Sequence, residues 1–172
     1  MNTMEKEISV NGLSFHVEIT GQGEPLVLIM GLGAPGDKWR PNVAVYSRSF
    51  QCVTIDNRGA GRSSKPEVPA YSTAEMAGDV LGIMDALGIE KAHVNGVSMG
   101  GAIAQILAAD HPERVRSLIL TSTFASVSNS FRRAIETLRE AIDQLDGTTF
   151  KRLNQWMTFS QATQNTREDM LF

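Results

Sequence analysis

The sequence predicts an α/β fold, with a mainly parallel sheet preceded by an antiparallel hairpin. Three observations carry this expectation. Four short apolar runs, at residues 25–30 (PLVLIM), 50–56 (FQCVTID), 91–97 (KAHVNGV) and 115–122 (VRSLILTS), lack the alternation of a half-exposed strand and read as strands buried on both faces. Segments with helical signals fall between them, which implies helices on both faces of the sheet. Ahead of them, EKEISV and LSFHVEIT flank Asn11-Gly12, the dipeptide that best supplies the two left-handed residues of a tight hairpin turn.

The helices follow in order. Residues 73–87 open with the capping box Ser72-Thr73-Ala74-Glu75. They place Met76, Val80, Ile83, Met84 and Leu87 on one face and stop at Gly88. A second helix runs from about Met99 to Asp110, before Pro112. After Ser122 the strand signal ends. Phe131, Ile135, Leu138, Ile142 and Leu145 form an amphipathic stripe that Gly147 closes, and a further helix carries Phe150, Leu153, Trp156, Met157 and Phe159. The expected organisation is a sheet-bearing core over residues 1–125 and a helical cap segment over 126–172.

The 172 residues carry 16 Lys plus Arg against 19 Asp plus Glu, a net charge of −3, with 42% hydrophobic residues. That balance argues against a nucleic-acid partner, which would need a basic stripe, and for a globular domain with a core. No apolar run reaches the 18 residues of a membrane span, and two Glu stand in MNTMEKEISV where a signal peptide would be apolar. The lone Cys52 sits in an apolar run and reads as a buried structural thiol. These features predict a cytoplasmic protein without a membrane partner. No metal cluster or cofactor motif is present, so none is expected.

Three glycine-bearing motifs need weighing. Gly31-Leu32-Gly33-Ala34-Pro35-Gly36 follows a strand and fits the dinucleotide pattern, with Asp56 at the spacing of a ribose ligand. But Pro35 precedes the third glycine, and Pro41 falls where the phosphate-binding helix would have its first turns, at a cost of roughly 3 kcal/mol. The dinucleotide reading is therefore rejected. Asp56-Asn57-Arg58-Gly59-Ala60-Gly61-Arg62-Ser63-Ser64 reads as a tight polar loop in which Asp56 and Arg58 satisfy local amides and carbonyls. Gly96-Val97-Ser98-Met99-Gly100-Gly101 lies between a strand and a helix, the context of a nucleophile elbow. There a strained turn lifts the serine hydroxyl above the sheet. Side chains at Gly96 or Gly100 would collide, and the Met99 amide faces the place where an acyl oxyanion would form.

Taken together, these residues resemble the α/β-hydrolase family. The hairpin, the loop Met30-Gly31-Leu32-Gly33 with Trp39 downstream, the DNRGAGRS loop, and the GVSMGG elbow followed by HPERVRSLIL stand in family order over residues 5 to about 125. The resemblance implies a serine hydrolase of the esterase or lactonase kind: Ser98 attacks the carbonyl of a small ester or lactone, and the backbone amides of Leu32 and Met99 hold the oxyanion. The first position of that loop is often His in the family and is Met30 here, which alters packing more than chemistry because the loop contributes an amide. Phe131, Trp156, Met157 and Phe159 are candidates for lining an acyl pocket. Esterases, enol-lactone hydrolases, carbon–carbon bond hydrolases and cofactor-free haloperoxidases share these motifs, so the substrate stays open.

The family order is Ser, then an acid, then His. The histidines here are His16, His93 and His111. His111 ends the helix that begins at the elbow, roughly 18 Å away, and His93 lies five residues back along the strand, roughly 16 Å away. No carboxylate follows the strand that ends in Thr121-Ser122-Thr123, while Glu136, Glu140, Asp143 and Asp146 read as a solvated helix face. The resemblance thus implies that the chain ends inside the cap, short of the strands that carry the acid and base, and is inactive alone. It also implies that VRSLILTS forms an open apolar edge that associates with another chain. The competing reading is a non-catalytic member of the fold that binds a ligand or partner.

Overall fold

The computed structural model describes residues 3–142, 144–146, 148–149 and 152. They form two compact units, Met1–Ala125 and Ser126–Phe172. The first holds six strands, β1 (Thr3–Val10), β2 (Leu13–Thr20), β3 (Glu24–Ile29), β4 (Phe50–Ile55), β5 (Ala92–Val97) and β6 (Val115–Thr121), and helices α1 (Arg40–Tyr46), α2 (Thr73–Ala86) and α3 (Met99–Asp110). The sheet order is β1-β2-β4-β3-β5-β6. The β1–β2 and β2–β4 pairs are antiparallel and the other three are parallel.

Local chemistry explains most of these boundaries. Val10 pairs with Leu13 across the two-residue turn, where Asn11 and Gly12 take φ of 51° and 75°, the mirror-image turn that matches strand twist. Ser72 caps α2 by accepting from the Glu75 amide, while the Glu75 carboxylate accepts from the Ser72 amide. These bonds hold the Glu75 carboxyl below its usual range.

The apolar runs split by alternation onto two sheet faces. Val27, Ile29, Val53, Ile55 and Val94 pack with Val80, Ile83 and Met84 of α2 and Ile103 and Leu107 of α3. On the opposite face, Leu26, Leu28 and Cys52 pack with Trp39 and with Val43 of α1. Each such fully buried aliphatic side chain is worth about 1.5–3 kcal/mol. Cys52 is fully buried, and desolvation pushes its thiol up to about 11, which leaves it protonated and unreactive.

Several expectations need correction. The helix α1 adds to the helices that the sequence predicts, and Pro41 does not break it. Pro41 sits in the first turn, where the missing amide has no helical partner to lose. Arg58 does not serve local carbonyls but reaches Asp79 of α2. The expected amphipathic helix of the second unit, α4 (Asn129–Ile142), is present, but Leu145 lies in a bend beyond it. The Ser128 hydroxyl accepts from the Phe131 amide at its start. The Gly147 stop and the helix expected around Phe150, Leu153, Trp156, Met157 and Phe159 lie outside the described residues.

The strand β6 is not buried on both faces as its apolar run alone suggests, and among the described residues it has the open edge that the resemblance implies. It is the sheet's edge, and Leu118, Ile119 and Leu120 keep 36%, 45% and 42% of their surface exposed. Among the described residues, no helix is long and apolar enough to cross a membrane.

Candidate active site

In a parallel sheet the loops after neighbouring strands emerge at one edge. Here that edge gathers the segments following β3, β4, β5 and β6, because β3 lies between β4 and β5, with β6 beyond. Ser98 stands between β5 and α3 with φ 55° and ψ −121°, a conformation that costs a non-glycine residue about 1–3 kcal/mol. It is locked there from both sides. The Ser98 amide donates to the Thr121 carbonyl (2.9 Å), and the Ser98 carbonyl accepts from the Thr123 hydroxyl (2.7 Å) and the Gly101 amide (3.0 Å). The residue is exposed, and its hydroxyl caps nothing in α3.

The flanking glycines are enforced by contact. A Cβ on Gly96 would stand 2.3 Å from the Gly100 carbonyl oxygen, and one on Gly100 would stand 2.2 Å from the Ile29 and 2.6 Å from the Met30 carbonyl oxygens. The start of α3 therefore lies backbone-to-backbone on the end of β3. Gly31 touches the Ser98 turn as well, since a Cβ there would be 3.1 Å from Ser98 Cβ and 3.6 Å from Ser98 Oγ. The Leu32 amide follows this contact in sequence, and the Leu32 side chain is 69% exposed. Met99 opens α3, so its amide belongs to the first turn, where amides lack helical partners. The arrangement can support acyl transfer through a serine.

The three histidines are all committed elsewhere. His16 contacts Arg62 and lies 3.6 Å from Glu18. His93 bonds Ser117 Oγ through Nδ1 (2.7 Å) and Glu24 through Nε2 (3.1 Å), at the opposite end of the parallel strands. That bond, together with Arg116, lowers the Glu24 carboxyl. His111 lies 3.7 Å from Glu113. Among the described residues, Ser98 Oγ has no histidine or carboxylate partner. Of the expected pocket residues, Phe131 lies on α4 in the second unit and is 41% exposed, while Trp156, Met157 and Phe159 lie outside the described residues.

The loops after β3 and β4 are tied together, as the structural reading of Asp56 expects. The Asp56 carboxylate, 4% exposed, accepts from the amides of Gly36 (2.5 Å) and Arg62 (2.8 Å), so it is consumed in tying loops together. Gly36 opens a 3-10 turn, Gly36–Trp39, rather than the long helix that a dinucleotide site needs. Glu5, His16 and Glu18 lie within ligand distance of one another. Arg62, however, pairs with both carboxylates, at 2.9 Å and 3.3 Å, and lowers the Glu5 carboxyl. A cation would have to displace that guanidinium. Sequence reasoning missed Thr123 and Asn57, whose roles depend on which loops meet at the sheet edge.

Comparison with known proteins identifies the fold family. A family model described as the alpha/beta hydrolase fold matches residues 24–169. The RutD protein of Caulobacter vibrioides, named as a carbamate hydrolase, is 37% identical over 132 residues, covering 75% of this chain and 49% of that protein. A hydrolase from Pseudomonas aeruginosa superposes with a TM-score of 0.86 at 26% identity, over 97% of this chain and 63% of that one. The enol-lactonase from Burkholderia xenovorans does so with a TM-score of 0.80 at 31% identity, over 96% and 64%. The chain spans about half the length of the curated relatives it matches.

Proposed function

Because this chain belongs to the alpha/beta hydrolase fold family, we propose that it carries the nucleophile and oxyanion site of a serine hydrolase acting on small carboxylic esters or lactones. Ser98 is the nucleophile, and the amides of Leu32 and Met99 receive the oxyanion. The observation that carries this reading is the strained Ser98 turn, with φ 55°, fixed by hydrogen bonds with Thr121, Thr123, Gly101 and Ala102 and by glycine contacts that leave no room for a Cβ. Strain of this kind persists where the surroundings over-determine it, and it exposes the hydroxyl here. The enol-lactonase neighbour favours the lactone side of the substrate class. Among the described residues, none of His16, His93 and His111 is a base on Ser98, since each faces another partner.

Fluorophosphonate labelling of the protein in its native extract, with peptide mapping, tests this. The adduct is expected on Ser98. Hydrolysis of a p-nitrophenyl ester without an adduct at Ser98 overturns the assignment. Neither labelling nor hydrolysis selects the second reading, a ligand- or partner-binding member of the fold, which the absence of a base on Ser98 among the described residues favours. The purified 172-residue chain is expected to show at most the small residual rate that an oxyanion site and binding supply. Brisk Ser98-dependent turnover would show that a base is present after all.

We also propose that the open edge of β6 associates with another polypeptide chain. Three consecutive exposed apolar residues on a strand whose outer edge has no neighbour among the described residues template further pairing. Light scattering at micromolar concentration is expected to find the 172-residue chain associated, and a strict monomer overturns the proposal.

A further inference from the structure

The strands β3 and β4 are parallel neighbours whose last residues, Ile29 and Ile55, pair directly. The loops that follow them therefore leave the sheet side by side, and two consecutive residues of the second loop pin the first at both ends. At its start, the Asn57 side-chain amide donates to the Met30 carbonyl at 3.0 Å. At its end, Asp56 accepts from the Gly36 amide. Between the pins, the Ala34 amide donates to the Gly31 carbonyl across a turn whose third residue, Gly33, has φ +68°.

The Met30 carbonyl is held from a second direction as well. It faces the Gly100 backbone so closely that a Cβ there would lie 2.6 Å away. The peptide leading into Gly31 is thus wedged between the start of α3 and the Asn57 amide, and Gly31 abuts Ser98. Asn57 is 4% exposed, so its amide is shielded from competing water. Without it, nothing described on that side would keep the Met30 carbonyl from turning, and Gly31 and Leu32 would turn with it.

We propose that Asn57 is a positioning residue for the oxyanion site: by holding the Met30 carbonyl it sets where the Leu32 amide points relative to Ser98. This rests on the reading of Ser98 as the nucleophile. Displacements of about 1 Å at a reacting centre cost on the order of 100-fold in rate, and loss of a whole oxyanion donor costs about 100- to 1,000-fold. A tilted Leu32 amide is therefore expected to lower kcat about 10- to 100-fold, with KM changed by no more than about twofold, because substrate binding elsewhere is untouched.

The test compares Asn57→Leu and the near-isosteric Asn57→Asp with the parent, in the native protein, on an ester and its thionoester. Sulfur is larger than oxygen and a poorer acceptor, so a well-set oxyanion site prefers the oxygen ester, and a general loss of folded enzyme lowers both rates equally. The expected result is a fall in kcat on the ester together with at least about a fivefold narrowing of the ester-to-thionoester preference in both variants. Either folded variant keeping the parent's preference overturns the role of Asn57 while leaving Ser98 intact. A parent protein without a fluorophosphonate adduct on Ser98 overturns both readings at once.

Discussion

Gly100→Ala is expected to lower the melting temperature of the 172-residue chain by roughly 10 °C and to remove Ser98 labelling in the native protein. The added methyl would lie 2.2 Å from the Ile29 carbonyl oxygen, 2.7 Å from the Ile29 carbonyl carbon and 2.6 Å from the Met30 oxygen. All three are backbone atoms, so no rotamer change relieves the contact. Neither side can withdraw cheaply. The strand β3 is hydrogen-bonded on both edges, to β4 and β5, and α3 is fixed by the fully buried Ile103 and Leu107. Overpacking typically costs about 1–3 kcal/mol and sometimes more. Contact with backbone on two elements puts this case at about 3 kcal/mol, and at about 2–4 °C per kcal/mol for a chain of this size the shift follows. Gly78→Ala in α2 is the control. A Cβ there meets nothing within 4 Å, so removing an interior helical glycine should stabilise by about 0.5–1 kcal/mol. Thermal unfolding followed by circular dichroism separates the two, and a Gly100→Ala chain melting within about 2 °C of the parent would show that the β3–α3 contact is compliant.

The same contact shows which parts of this molecule are readable without coordinates. Gly96 and Gly100 stand out in the sequence because a strand runs up to the serine and a helix leaves it, and the steric demand is local to that turn. Asn11-Gly12 and the Ser72–Glu75 capping box are legible for the same reason, since each is satisfied within four residues. The short helix α1 offers no such signal. Seven residues give barely two turns, Val43 is its one buried position, and Pro41 reads as a breaker until its place in the first turn is known.

Long-range pairing is illegible for a different reason. Nothing around Arg58 says that α2 will present Asp79, 21 positions along the chain, and nothing around Asn57 says that the Met30 carbonyl will arrive beside it. The apolar character of Leu118, Ile119 and Leu120, taken alone, points in the other direction. An apolar run specifies a strand that prefers burial, but the number of neighbours it obtains is a property of the whole sheet, and β6 has one neighbour, β5, among the described residues. The candidate site divides along the same line. The Ser98 turn is local and visible. The Thr123 clamp on it and the Asn57 clamp on the neighbouring loop at Met30 arise from the parallel strand order that brings four loop segments to one edge, and the absence of a base on Ser98 among the described residues follows from where the fold sends His16, His93 and His111.

Asp79→Ala is expected to destabilise the chain by about 3 kcal/mol, and replacing both partners with apolar residues is expected to recover most of that loss. Arg58 donates from Nε to Asp79 Oδ2 at 2.6 Å and from Nη2 to Asp79 Oδ1 at 2.7 Å, a two-pronged pair in which geometry and charge reinforce each other. Both side chains are largely buried, at 10% and 4% exposure, and the paired carboxylate holds the guanidinium above its ordinary range. Removing Asp79 alone leaves a cation that cannot shed its proton and is too enclosed to be well hydrated. Breaking such a pair from one side costs about 3–5 kcal/mol. The low end applies because Glu75 remains 3.4 Å from Arg58 Nη1, on an exposed carboxylate that offers weak compensation. Removing both charges eliminates the stranded cation, so Arg58→Met with Asp79→Leu should melt within about 4 °C of the parent while Asp79→Ala melts roughly 10 °C lower. If the double replacement is as damaging as the single one, the pair itself supplies net attraction. If Asp79→Ala is harmless, Glu75 or water already satisfies the guanidinium, and the DNRGAGRS loop is anchored to α2 by something other than this bond.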